Sequence, residues 1–512
     1  MAVCIRLSYL YLACQKIVIK KNKSCKTEMK LSFLVLTMLV MLSIDLFSQN
    51  NRCNCLENLN KLVAKTEENY AGYPVKVNRS TFSKYKELVR SLEKRTSKVT
   101  DPVSCYNLLK AYVRFFKDKH FMLGFQGDKR PETESISLSE EAFRSILSKK
   151  KPHPMEGIWI NAENTLKIAI RRKSKNEFHG IILATDDPGL PVGLVYYTFL
   201  NTEKGWIAQE FNSYLTTDIV VKQRGNLLQI WNQKMFGKIH PSLMSENERA
   251  ELDTWKNDNH GLDFKKLSEK TAYLKIPSFK NNNDKILDLV TRNDAIIQSC
   301  ENLIVDLTGN GGGSTGWVSF LPYFMTNPII QYDTYLRVTP DNVNSKLSDL
   351  EPFAVNPIPD EYKKYFPEDV LVAYKKAYQE LPVTQKSFYP IPGVTFPLDS
   401  ILAKPKRIAL MVDDLCGSSA EYFFFLSKQS KKTTTYGINT VGMMDYEGMS
   451  NPTALPYDKY ILTIPIVKSS WTDTHPIDQT GFRPDILLNN VDQREWLEFV
   501  RKDLEGNAIE KN

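Results

Sequence analysis

The sequence predicts an α/β core preceded by a helical domain and a small antiparallel β domain. Three changes of texture carry that expectation. In the first part apolar residues recur at three- and four-residue spacing, as in Leu56, Leu59, Leu62, Val63 and then Tyr85, Leu88, Val89, Leu92. From Met155 to about 240 short alternating runs such as Leu166-Lys-Ile-Ala-Ile-Arg171 are separated by turn residues, including Pro188-Gly189 and Arg224-Gly225. From about 265 to 490 strand-like and helix-like segments alternate, which is the pattern of a sheet covered on both faces. At 512 residues the chain has room for about three domains.

Taken in order, residues 29–49 read as a signal peptide. Met29-Lys30 precedes Leu31–Ile44, a run broken only by Ser32, Thr37 and Ser43, and the polar Asn50-Asn51-Arg52 follows. The run is shorter than the roughly 20 residues of a spanning helix, so a retained anchor is the lesser alternative. Residues 1–28 then precede the natural start as a non-native upstream extension. Asn51-Arg52 before Cys53 lacks the small residues of a lipid-anchored junction. The expectation is an extracytoplasmic protein, periplasmic or secreted, with no stable membrane insertion after cleavage.

Residues 50–150 form the predicted helical domain, 151–245 a β-rich domain read as a small barrel or sandwich, 246–495 the α/β domain, and 496–512 a tail. Within the α/β domain, Tyr273–Ile276, Leu303–Leu307, Arg407–Val412 and Thr434–Tyr436 read as strands, with helices over Lys285–Ser299 and Ala420–Ser430. Residues 350–395, rich in proline and tyrosine, read as an insertion. Composition is ordinary for a globular protein, 42% apolar and 25% charged. The formal charge of +8 is concentrated at the start; residues 50–512 hold 60 basic and 57 acidic side chains. A nearly neutral body argues against nucleic acid as a partner.

Five cysteines follow the signal segment: Cys53, Cys55, Cys105, Cys300 and Cys416. Their spacing fits neither a zinc clip nor a redox pair, and no metal is expected; one bridge from the Cys53/Cys55 pair to Cys105 is open.

Two segments could carry chemistry. Asp306-Leu-Thr-Gly-Asn-Gly-Gly-Gly-Ser-Thr-Gly316 ends a buried strand in a glycine cluster, whose bare N–H groups can hold a phosphate or the oxyanion of a tetrahedral intermediate. Residues 311–316 also spell G-x-G-x-x-G, the letters of a dinucleotide fingerprint, and a plain structural turn remains open. Val412-Asp-Asp-Leu-Cys-Gly-Ser418-Ser419-Ala420-Glu421 takes a strand through a sharp turn into a helix. Ser418 then stands at a helix start, either as a nucleophile or as the N-cap of a capping box answered by Glu421. A serine nucleophile needs a base, and there are six histidines. His153 lies between prolines, His179, His240 and His260 lie in or near turns, and His475 sits in a polar loop. His120 differs, following a helical stretch and preceding the apolar Phe121-Met-Leu.

The order of His120, the glycine loop, Ser418-x-x-Glu421 and Asp478-Gln-Thr-Gly481-Phe-Arg-Pro-Asp485 resembles the tail-specific, or C-terminal-processing, serine proteases. The match is good over roughly 265–490 and weaker over 56–125. The resemblance implies a ClpP/crotonase-like α/β core and no cofactor, with polypeptide as substrate. It implies Ser418 as nucleophile, the N–H groups of Gly312 and Ser419 as oxyanion donors, and Gly311 and Glu421 in support. One branch of the family takes a lysine base from a Gly-Lys pair after the serine; here Gly442 is followed by Met443, and 433–458 hold no lysine. The tricorn-like branch uses a histidine from an Asp-x-His segment, matched by Asp118-Lys119-His120. In that branch a serine adjoins the histidine and a glutamate stands three residues before the late glycine; Lys119 and Asp478 occupy those places. Asp478 is therefore the expected orienting carboxylate. The 155–240 region does not resemble the PDZ module common in the family. The alternative is an inactive relative that binds peptides or other ligands in the same cleft.

Overall fold

The structure, a computed structural model, describes residues 53–126, 134–149, 151–203, 205–211, 219–358, 366–449 and 452–506. Residues 29–49, read as a signal peptide, and 1–28, read as an upstream extension, lie outside these residues. Three long helices open the described chain: α1 (Cys55–Asn69), α2 (Phe82–Thr96) and α3 (Pro102–Phe115). The Asn54 side chain accepts the Glu57 N–H at the start of α1, and Asp101 accepts the Ser104 N–H at the start of α3. Each satisfies a donor that has no carbonyl one turn back. A disulfide joins Cys55 on α1 to Cys105 on α3, while Cys53, Cys300 and Cys416 are free thiols.

This helical region does not close a core of its own. Leu59, Leu109 and Tyr112 share one apolar cluster with Leu336, Val343 and Tyr389 of the 334–391 segment and with Tyr460 and Leu462. The segment read as an insertion, 350–395, holds the end of one helix, Pro340–Ala354, and the whole of a second, Glu368–Glu380. Strand β1 (Met122–Phe125) pairs antiparallel with Tyr460–Thr463. That pairing ties the chain just after His120 to the end of the α/β domain.

Eight antiparallel strands follow and close on themselves: β2 (Gly157–Asn161), β3 (Leu166–Arg172), β4 (Glu177–Thr185), β5 (Val195–Thr202), β6 (Gly205–Glu210), β7 (Ile219–Arg224), β8 (Leu227–Ile230) and β9 (Lys234–His240). Between barrel and sandwich, the pairing of β2 with β9 decides for the barrel. Trp159, Ile168, Phe178, Tyr197, Phe199 and Phe236 fill it, so it is a packed body. His179 lies near the start of β4 and His240 at the last residue of β9.

The α/β domain is a six-stranded sheet in sequential order: β10 (Asp263–Lys266), β11 (Thr271–Lys275), β12 (Asn302–Asp306), β13 (Arg407–Val412), β14 (Thr433–Gly437) and β15 (Ile486–Leu487). Only the β10–β11 pair is antiparallel. All five residues of β12 are buried. Leu303 and Val305 face one cluster with Ile286, Trp317 and Phe423, and Ile304 faces the other with Met411 and Tyr436. Helices α4 (Asn283–Ser299) and α5 (Ser419–Ser427) pack on the first face. The second face is covered by α6 (Trp496–Leu504), so residues 496–504 are structural cover and not a tail. Among the described residues no helix is long and apolar enough to cross a membrane, and no group of acidic, histidine or cysteine side chains could hold a metal ion.

Candidate active site

β12 and β13 are parallel neighbours, with Asp306 opposite Met411, so the loops leaving their carboxyl ends emerge side by side. Those loops are the glycine cluster and the Gly417–Ser418 turn. They are bonded to each other at several points. Asp413 Oδ1 accepts the Gly309 N–H at 2.9 Å, Gly417 donates to the Asn310 carbonyl at 3.0 Å, and the Cys416 thiol donates to the Leu307 carbonyl at 2.9 Å. Gly312 has φ of +90°, and a Cβ there would lie 2.6 Å from Ser418 Cβ, so this close approach requires glycine.

Ser418 precedes α5 with φ of +53° and ψ of −123°, a conformation that costs a non-glycine residue about 1–3 kcal/mol. Its side chain makes no capping bond. The Ser-x-x-Glu capping box is thus only half formed. Glu421 turns instead to the 440–443 loop, accepting the Thr440 hydroxyl at 2.6 Å and the Gly442 and Met443 N–H groups at 2.6 and 3.0 Å. The Ser418 N–H also faces this carboxylate, whose pKa is pushed up by burial.

The Ser418 hydroxyl faces His120. His120 Nε2 lies 3.1 Å from Ser418 Oγ, although 298 residues separate them. His120 Nδ1 lies 2.8 Å from the Tyr446 carbonyl, an acceptor that can only take a proton. Nδ1 therefore carries the hydrogen, and Nε2 is left with a lone pair toward the serine. The imidazole is 3% exposed. Behind it, Asp118 Oδ1 accepts the His120 N–H at 2.8 Å, and Oδ2 accepts the hydroxyl of the buried Tyr70 at 2.7 Å. Burial pushes the Asp118 carboxyl up.

Asp478, expected to orient the imidazole, does not bond to it. Its carboxylate pairs with Lys76 and accepts the Gln479 amide, and its N–H donates to Asp445. The physical reason is that Nδ1 is already satisfied by the Tyr446 backbone carbonyl. Gly312, expected to give an oxyanion donor, spends its N–H on Asn310 Oδ1 at 2.9 Å. Ser419, the first residue of α5, has no carbonyl one turn back for its N–H. Its hydroxyl donates to the Ser314 carbonyl at 2.6 Å. Gly313 bridges Phe279 in parallel fashion, a pattern that turns the Gly313 N–H away from that strand. Gly311 packs under the Trp231 indole. Met443, in the place of the family's alternative lysine, packs against Gly417 and in the barrel core. Asp485 serves as an anchor, accepting the Thr435 N–H and hydroxyl at 2.9 and 2.8 Å.

Sequence reasoning missed Tyr446, Asn310, Tyr70 and Trp231 as site residues. Tyr446 acts through its carbonyl and Trp231 reaches in from the barrel, and neither leaves a signal in sequence. Asn310, inside the glycine cluster, stood in plain view.

Residues 270–488 match the sequence model of Peptidase family S41. No curated protein matches the chain. Among solved structures, mature CPAF is similar at 14% identity, covering 88% of this chain and 96% of that one, with a TM-score of 0.52. CPAF complexed with lactacystin is similar at 13% identity, covering 88% and 97%, with a TM-score of 0.50. At such identity the likeness concerns fold alone, and it extends across the helical region and barrel as well as the α/β domain. The matched residues 270–488 hold the sheet, the glycine loop and the serine turn described above, and with them the chain is a serine-type peptidase similar to peptidase family S41.

Proposed function

We propose that this is a secreted serine endopeptidase in which Ser418 is the nucleophile and His120 the general base. The observation that carries the reading is the 3.1 Å approach of His120 Nε2 to Ser418 Oγ, with Nδ1 held by the Tyr446 carbonyl. In this mechanism His120 takes the Ser418 proton as Oγ adds to the peptide carbonyl. The tetrahedral oxyanion is received by the Ser419 N–H, with the Gly313 N–H as the second donor in place of Gly312. One such donor contributes about 3–4 kcal/mol of transition-state stabilisation. The imidazolium then gives its proton to the leaving amine, and water repeats the sequence on the acyl-serine. The Asp118 carboxyl accepts the His120 main-chain N–H and the Tyr70 hydroxyl, and so holds in place the backbone that carries the imidazole. Secretion is supported by the 29–49 segment and by the Cys55–Cys105 disulfide, a bond that persists in oxidising compartments.

A second reading, an inactive relative that binds peptides, is favoured by one observation: the Gly312 N–H is occupied by Asn310. A fluorophosphonate probe separates the two. The endopeptidase reading expects covalent labelling of the Ser418 peptide, lost in Ser418→Ala and strongly slowed in His120→Ala. A protein that never labels is the inactive relative.

A further inference from the structure

Nothing in the mechanism so far uses the barrel, yet one barrel tryptophan reaches both loops of the site. Trp231 follows β8 and has φ of +42°. A bulky residue holds such a conformation only where its surroundings over-determine it, and such outliers cluster at functional sites. The surroundings here are explicit. The Trp231 N–H donates to the Val220 carbonyl at 3.0 Å, which fixes the residue to β7. Its indole N–H donates to the Leu415 carbonyl at 2.9 Å, three residues before Ser418. Its own carbonyl accepts the Gln229 amide at 2.9 Å, and the same amide reaches the Gly309 carbonyl at 3.3 Å. The indole also occupies the space above Gly311, where a Cβ would come within 2.1 Å of its nitrogen. The barrel thus grips the glycine loop at Gly309 and Gly311 and the nucleophile turn at Leu415, through one side chain and its neighbour.

We propose that Trp231 is a positioning residue for catalysis, which fixes the spacing between the glycine loop and the nucleophile turn. The proposal rests on the Ser418 reading above. The oxyanion donors come from both loops, whereas Ser418 comes from one. A change in loop spacing therefore moves the oxyanion site relative to Oγ without disturbing the Ser418–His120 contact. Peptide binding along the cleft is little affected by such a shift, but the transition state is, because a displacement of about 1 Å costs about 100-fold in rate. The barrel is then part of the active-site scaffold as well as a packed body beside it.

The test is steady-state cleavage of an unstructured peptide by four variants, with thermal melts of each. Trp231→Phe keeps an aromatic ring and removes the indole N–H. It is expected to lower kcat about 10- to 100-fold with KM changed less than about twofold and little change in melting temperature. Trp206→Phe, at a barrel tryptophan that packs on His153 and Phe178, is expected to keep kcat. Unchanged kcat in Trp231→Phe, or an equal loss in Trp206→Phe, overturns the proposal. Should Trp231→Phe fail to fold, Gln229→Met decides, since it removes the amide link to Gly309 and leaves the tryptophan. A lowered kcat at constant KM supports the proposal, and an unchanged kcat overturns it. Ser418→Ala is the fourth variant; cleavage retained there would sink the Ser418 reading itself, whatever Trp231 does.

Discussion

Ser418 illustrates how a residue can satisfy a sequence pattern and reject its usual meaning. Ser-x-x-Glu fits a capping box, but a backbone at φ +53° leaves the hydroxyl clear of α5 and aims it at His120. Strain of that kind is retained for geometry rather than for stability. Ser418→Ala removes the hydroxyl and keeps the strain, whereas Ser418→Gly relieves it at the cost of added chain entropy. Both variants are expected to be inactive, with Ser418→Gly more stable by about 1 kcal/mol in thermal melts. Equal melting would mean that the turn is not strained. Glu447 makes a second prediction at this scale. Burial raises its carboxyl from 4.5 to about 7, opposed only weakly by Lys346. A raised carboxyl favours the neutral form in the fold, so its stabilising contribution is present below pH 4.5 and lost as pH rises through about 7. Between pH 5 and 8 the native protein should lose up to about 3 kcal/mol that Glu447→Gln keeps, as measured by urea unfolding at the two pH values.

Among the elements, the strand–loop–helix units around β12 and β13 were legible because buried runs, glycines and a helix start stand in fixed order. The hydrogen bond that orients the base was not, because its acceptor is a backbone carbonyl. Any residue could stand at 446 and present one, whereas Asp478 looked like an acceptor and is instead engaged by Lys76. The barrel's closure was equally hidden, since nothing in β2 announces β9 as its partner. These placements set a comparison of His120→Ala with Asp478→Asn. The first should lose about 10³-fold or more of kcat, the scale seen when one member of a catalytic set is removed. The second should lose less than about 10-fold, because Tyr446 keeps the imidazole oriented. The native enzyme should also lose activity on acidification, since a protonated imidazole cannot take the serine proton. A loss in Asp478→Asn as large as in His120→Ala would return Asp478 to the orienting role.

Across the whole molecule, the nucleophile and its base come from regions joined by packing rather than by sequence. The helices that deliver His120 share their core with the 334–391 segment and with Tyr460, and a disulfide ties α1 to α3. Closing a 50-residue loop restricts the unfolded chain enough to be worth about 4 kcal/mol in the entropic account. Cys105→Ser should lower stability by about 2–4 kcal/mol, and because α3 leads directly to His120 it should lower kcat as well. Denaturant melts with a parallel peptide assay read both. The helical, β and α/β textures were legible, but the core that the helices share with the 334–391 segment was not, because long-range apolar contacts leave no local pattern. The most direct test of the account is incubation of an unstructured polypeptide with the native protein and with Ser418→Ala, followed by sequencing of the newly formed N-termini. The account predicts internal cleavage by the native protein and none by the variant; the same new termini from both would contradict it.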